Sequence, residues 1–239
     1  MPARIVLATL LILLSSARPT SAYEVVPVDG GGTIRGTVRF AGEAPVPTTM
    51  VITKDPDVCG HEKVARDLIV SPSTHGIENV VVRLRDVPRG KPFPKSKTVR
   101  LRQKECEYAP RVAIFPAGSR VRIENEDGIL HNTNTRSEIN RAFTVAQPGF
   151  RRVFETSIEE PEMPIRIRCD VHSWMTAWWV VQEHPYYDLT DAQGNFSLAN
   201  VPPGTYTLEA WHETLGTLTR PVTVQPSGRV DLTLDMPKP

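Results

Sequence analysis

Beyond its first 22 residues, the 239-residue chain has no apolar run approaching the ~20 residues a membrane-spanning helix needs. Neither sign of charge dominates: 28 basic residues stand against 27 acidic ones, for a net charge of +1. That balance gives no electrostatic case for nucleic acid or anionic lipid as a partner. Cysteine is scarce. With only Cys59, Cys106 and Cys169, at most one intrachain disulfide can form, and one thiol is left over. Stretches with helical periodicity are also few, while prolines number 22 and glycines 15, the composition of β-sandwich material.

What is present begins with a leader. Arg4 supplies a small positive region, Ile5 to Leu14 an almost unbroken apolar run, and Thr20-Ser21-Ala22 a small-residue cleavage site. The expectation is a cleaved secretory signal over residues 1–22, hence a periplasmic or secreted protein with no stable membrane insertion; the competing reading is an uncleaved anchor. Losing Arg4 and Arg18 from the 28 basic residues leaves 26 against 27 acidic ones. Export matters for the thiols, because an oxidising compartment lets two of them pair. Cys59 and Cys106 sit in polar, turn-like contexts, so they are paired here as a disulfide. Cys169 lies in a different kind of stretch.

The segment Thr33 to Phe40 alternates apolar and polar residues, and Glu78 to Leu84 gives a further strand, with Met50 to Ile52 a short one between them. A linker rich in proline follows between Val87 and Lys97. From Thr98, short strands recur at roughly ten-residue spacing: Val99 to Gln103, Arg111 to Phe115, Arg120 to Glu124, Ala142 to Val145, Phe150 to Glu155, Ile165 to Cys169 and Thr176 to Val181. In Ile165-Arg166-Ile167-Arg168-Cys169 the alternation places Ile165, Ile167 and Cys169 on one face. Cys169 therefore ends a strand pointing inward.

The chemistry is concentrated in Cys169-Asp170-Val171-His172-Ser173-Trp174-Met175. A thiolate, an imidazole and a thioether at C-x2-H-x2-M spacing, joined by His131, form a His2Cys set with a weak axial Met, the donor set of a mononuclear type 1 copper site. The bland alternative for Cys169 is a buried inert thiol. Zinc would accept Cys169, His131 and His172 but gains little from a thioether. The chain has no H-x-H pair for a trinuclear copper cluster and no second loop cysteine for a binuclear one. His75-Gly76-Ile77-Glu78 has H-x-x-E spacing but no matching downstream ligand, so no catalytic activity is expected.

Residues 97–182 resemble a cupredoxin, through Glu107 to Pro110, Gly118 to Asp127, His131-Asn132 and the Cys169 to Met175 loop, which is most similar to that of the amicyanins. The resemblance implies His131, Cys169 and His172 as equatorial ligands and Met175 as axial one, with Asn132 behind them. It also implies His172 as the exposed ligand through which an electron passes, Trp174 as part of a docking face, and a redox protein as partner. Asp170 stands where relatives usually carry Thr or Ser to bond the Asn after the first histidine.

Beyond Glu183, Thr190-Asp191-Ala192-Gln193-Gly194-Asn195-Phe196 and Pro203-Gly204-Thr205-Tyr206 resemble the carboxypeptidase regulatory-like module, a small transthyretin-like β-sandwich. Its usual opening I-x-G-x-V strand is found at Ile34 to Val38. The pairing of modules is similar to methylamine-utilisation-type periplasmic proteins. The chain is expected to be all-β, with a cupredoxin at 97–182 inserted in, or adjacent to, a sandwich built from 30–90 and 185–237; three consecutive pieces are the competing layout. His61 and His184 are read as solvated loop residues, and one ring of Trp178 and Trp179 as core. Trp211-His212-Glu213 either packs against the copper domain or offers His212 to a second metal. The competing function is an interaction scaffold whose cupredoxin is passive, senses copper or delivers it.

Overall fold

The computed structural model describes residues 23–94 and 98–237. The expected leader at 1–22 and the end of the expected linker at 95–97 lie outside them. Strands make up most of the described chain, and the single turn Pro56–Cys59 is the one helix among the described residues, none of which is long and apolar enough to cross a membrane.

Four larger sheets form two sandwiches. In the first, a five-stranded sheet runs Thr144–Gln147, His131–Arg136, Glu162–Arg168, Thr176–Gln182, Val112–Pro116, and a four-stranded sheet runs Val153–Ile158, Ser119–Asn125, Val99–Lys104, Glu107–Ala109. Leu101, Val121 and Ile123 from one sheet meet Ile165, Ile167 and Trp179 from the other in a single buried core. In the second, Tyr187–Leu189, Val81–Leu84, Gly204–His212 and Gly216–Val224 form one sheet, and Asn195–Val201, Gly32–Ala41 and Arg229–Pro237 the other. Strands from before residue 90 and after residue 186 thus complete each other's sheets, and every strand of the first sandwich lies between them in sequence. The long pairing of Gly32–Ala41 with Arg229–Pro237 joins the two ends of the chain.

Gly36, in the opening I-x-G-x-V strand, shows why that position carries no side chain. A Cβ there would lie 2.3 Å from the Leu232 carbonyl oxygen and 2.8 Å from the Phe196 ring, so only glycine lets the three strands close up. At the far turn, the Asp191 carboxylate accepts from the backbone N–H of Gln193 and of Asn195 at 2.9 and 2.8 Å, while Gly194 takes φ 81°.

The two sandwiches share a seam that the period-two rule explains. Val80, Val82 and Leu84 face the core of their own sandwich, while Val81 faces the other. Likewise Trp179 and Val181 point into the first core, whereas Trp178 and Val180 point outward to meet Val81 and Trp211. Burying each such side chain is worth ~1.5–3 kcal/mol. Trp178 and Trp211 meet edge to face at 5.4 Å. Glu213 accepts from both Arg111 and Trp178 Nε1. The Trp211-His212-Glu213 run is therefore a seam contact, and among the described residues His212 joins no cluster of three potential ligands.

His184 corrects one expectation. It is buried, not solvated, because the chain crosses here from one sandwich to the other and packs the ring near Tyr186 and Tyr23, at 5.9 and 6.1 Å. Burial, with Arg83 nearby, pushes its pKa down to about 4. His61 is exposed as expected.

Glu162 pins the end of the site-bearing strands remote from the loop. Its buried carboxylate accepts from Ser137 Oγ, from Asn140 Nδ2, and from the backbone N–H of Glu138 and Asn140. Burial alone would raise its pKa, but these donors bring it down to about 2 from 4.5. A depressed folded value means the stabilisation is fully present above the unfolded pKa and disappears as pH falls toward the folded one. From pH 4.5 down to about 2, roughly 2–3 kcal/mol should be lost. Glu162→Gln should remove a similar amount at neutral pH and flatten that acid limb; urea midpoints measured across pH 2–7 check both.

Candidate metal centre

His131 opens the strand His131–Arg136, whose inward residues are polar yet buried: Thr133 and Thr135 follow it on that face. Cys169 follows Glu162–Arg168, and Ile165, Ile167 and Cys169 are buried on one face, as the alternation requires. The loop then folds back on itself. The Met175 N–H donates to the His172 carbonyl at 3.0 Å, and the Cys169 N–H to the Met175 carbonyl at 3.2 Å. This closure buries His172 and Met175 with Cys169, and Met175 shares the core cluster that holds Cys169.

Ligand atoms of His131, Cys169 and His172 lie within 4.8 Å of one another. The two Nδ1 atoms are 3.0 Å apart, and Cys169 Sγ is 3.9 Å from His172 Nδ1. Carboxylates fix the ring orientations from behind: His131 Nε2 meets Asp127 at 2.8 Å and His172 Nε2 meets Asp55 at 2.9 Å. Carboxylate oxygens only accept, so each Nε2 directs a hydrogen at its carboxylate and each Nδ1 faces inward. Across that 3.0 Å gap the two Nδ1 atoms either share a proton or, once both are deprotonated, turn their lone pairs toward a common cation. The donor set therefore fits a metal ion, and its thiolate and imidazoles fit copper.

The same contacts set the electrostatics of these groups. Burial works against the ionised Asp127, but its bonds from His131 and from the backbone N–H of Cys106 and Glu105 hold it below the ordinary carboxylate range. Burial opposes a charge on His131 as well, yet Asp127 and Cys169 push its pKa up to about 9. For Cys169, burial is outweighed by His131 and by the backbone N–H groups of Asn132, His172 and Val171, which favour the thiolate. Burial lowers His172, with Asp55 opposing.

Asp170 braces Asn132. Asn132 Nδ2 donates to its carboxylate at 2.7 Å, and the Asp170 N–H donates back to Asn132 Oδ1 at 2.6 Å. Asn134 adds a second donor at 2.9 Å. Trp174 is half-buried, its indole N–H bonded to the Cys106 carbonyl at 3.0 Å and its ring 5.2 Å from His172. The Cys59–Cys106 disulfide is present and Cys169 is free.

One expectation fails: His172 is fully buried, not exposed. The physical reason is the segment around Asp55, tethered by the disulfide, which lies over the Nε2 edge of the ring. Asp55 and Asp127 are the two site residues that sequence reasoning missed. Asp127 carried a signal, four residues before His131; Asp55, 117 residues from His172, carried none.

Residues 180–237 match the carboxypeptidase regulatory-like domain. No curated protein matches the chain. Among solved structures, the chain is similar to a copper-containing nitrite reductase from Thermus scotoductus SA-01, at 18% identity and a TM-score of 0.35, over 38% of this chain and 24% of that one. This chain thus spans about a quarter of that enzyme's length. It is also similar to a purple cupredoxin from Nitrosopumilus maritimus, at 17% identity and a TM-score of 0.28, over 35% of this chain and 99% of that one. An amicyanin variant in its reduced Cu(I) form gives 14% identity and a TM-score of 0.33, over 42% and 98%.

Proposed function

We propose that the chain is an exported, periplasmic or secreted, type 1 copper protein that exchanges single electrons with a redox partner protein. One observation carries the reading: two imidazole nitrogens and a cysteine sulfur converge within 4.8 Å, each ring aimed by a carboxylate behind it. Copper held there would supply one-electron chemistry between Cu(II) and Cu(I).

The protein's share is to hold the donors still. His131 is fixed by Asp127 and its strand, Cys169 by its strand end, and the loop by its own two backbone bonds. Such a frame keeps nearly the same donor positions in both oxidation states, so little must rearrange when an electron moves. With His172 covered, the short way to solvent runs through its hydrogen bond to Asp55, whose side chain is 35% exposed. Exposed Leu130, next to His131, and Phe150, on the adjoining loop, offer an apolar face where a partner would sit. The reading makes the chain an electron carrier and not an enzyme. A covered ligand also favours retention of copper over its delivery.

Titration of the mature protein with Cu(II) tests this reading. One equivalent should produce the intense visible absorption of a thiolate–Cu(II) bond. A folded protein that takes up copper without that band would overturn it and move attention to the scaffold reading.

A further inference from the structure

The disulfide lies against the candidate copper site. Ligand atoms of Cys59, Cys106 and His172 lie within 4.8 Å of one another, and those of Cys106, Asp127 and His131 do likewise. Both sulfurs therefore abut the histidines of the candidate copper site, and all three residues of the first group are buried. The backbone couples them further. The Asp55 carbonyl accepts from the Cys59 N–H at 2.9 Å, while the Asp55 carboxylate accepts from His172 Nε2.

We propose that reduction of Cys59–Cys106 unmasks a second metal site, in which the two thiolates and His172 bind Cu(I). The inference rests on the copper reading above only in that His172 is shared with Cys169. An external thiol supplies the two electrons and two protons: the S–S bond breaks, Cys59 and Cys106 become thiols, and the reductant becomes its own disulfide. Binding Cu(I) then releases those two protons as two copper–sulfur bonds form. Two thiolates and one imidazole suit a soft monovalent ion that accepts low coordination, whereas structural zinc is almost always held by four ligands. Because one histidine serves both sites, copper in one place alters the affinity of the other.

Access for the reductant comes from the architecture. Cys59 ends a single helical turn, flanked by the two-stranded ribbon Thr49–Val51 and Glu62–Val64, which among the described residues pairs with no other strand. Residues of that turn and its exit, Val58, Gly60 and His61, are exposed. The segment is held by Ile52 and Cys59 in the core, by Asp55 on His172 and by Lys63 on Glu105, so its opening releases these contacts and unfolds neither sandwich.

The test uses the full mature chain carrying Cys169→Ser, which removes the first site's thiolate and so separates failure of this inference from failure of the copper reading. Cu(I) affinity is measured by competition with a chromophoric chelator, before and after reduction by a phosphine that is then removed without air. Reduction should raise affinity by more than the ~100-fold that an outer-shell partner is worth, at one Cu(I) per chain. Adding Cys106→Ser should cancel the gain, and X-ray absorption should show two sulfur neighbours. Equal affinity in both states, a preference for Zn(II), or a disulfide that yields only when near-ultraviolet dichroism is lost would each overturn the proposal.

Discussion

Replacing Cys169 with serine should abolish the intense visible band of the copper-loaded protein while leaving the fold intact. The band arises from charge transfer out of a thiolate, and the other two cysteines are locked together in the disulfide. His131 and His172 remain, so Cu(II) should still bind, more weakly and with only the faint absorption of nitrogen and oxygen donors. The substitution exchanges one small buried group for another and should cost little stability, about 1–2 kcal/mol for burying a hydroxyl. Absorption and thermal melting of the same sample separate the two effects. A surviving intense band in the variant would mean that another residue is the thiolate donor.

Asp127→Asn should produce the second large effect. The carboxylate accepts from His131 Nε2 and from the N–H groups of Glu105 and Cys106. An amide in its place has a donor on one side, which faces either a backbone N–H or the ring N–H. The ring relieves the clash by moving its hydrogen to Nδ1, the atom that should face the metal. Loss of such an orienting partner costs ~10–100-fold in metal affinity. Asp55→Asn should cost less, because the Asp55 side chain is 35% exposed and Asp127 only 5%, so water can replace the lost bond at His172 but not at His131. Competition titrations of both variants against one Cu(II) chelator give the comparison; an equal loss in both would show that burial of the carboxylate does not set its influence.

Much of this arrangement was legible in the sequence where side-chain alternation decides the outcome. Ile165, Ile167 and Cys169 fall on one buried face because a strand has period two. The unbroken Val80-Val81-Val82 run is buried on both faces because one lies on the core and the other on the seam. The disulfide followed from context, since two cysteines in turns stood apart from one at a strand end.

Alternation failed on strands that break it. His131–Arg136 reads His-Asn-Thr-Asn-Thr-Arg, with no apolar residue, yet its inward residues are buried because side chains satisfy one another: Gln103 donates to Thr133, and Thr135 bonds the backbone of Phe143. The strand expected over Phe150 to Glu155 runs instead over Val153–Ile158, and Phe150 stands 90% exposed on the preceding loop. The covering of His172 was illegible for another reason. Asp55 precedes a short turn in a polar stretch, and nothing local says that a disulfide will fold that turn over a loop more than a hundred residues away.

The most direct measurement is voltammetry of the copper-loaded mature protein. A held donor set predicts one reversible one-electron wave, with copper retained through repeated cycles and no wave from Cys169→Ser at the same potential. A wave that is absent, or that decays as copper leaves on reduction, would contradict an electron carrier built on His131, Cys169 and His172.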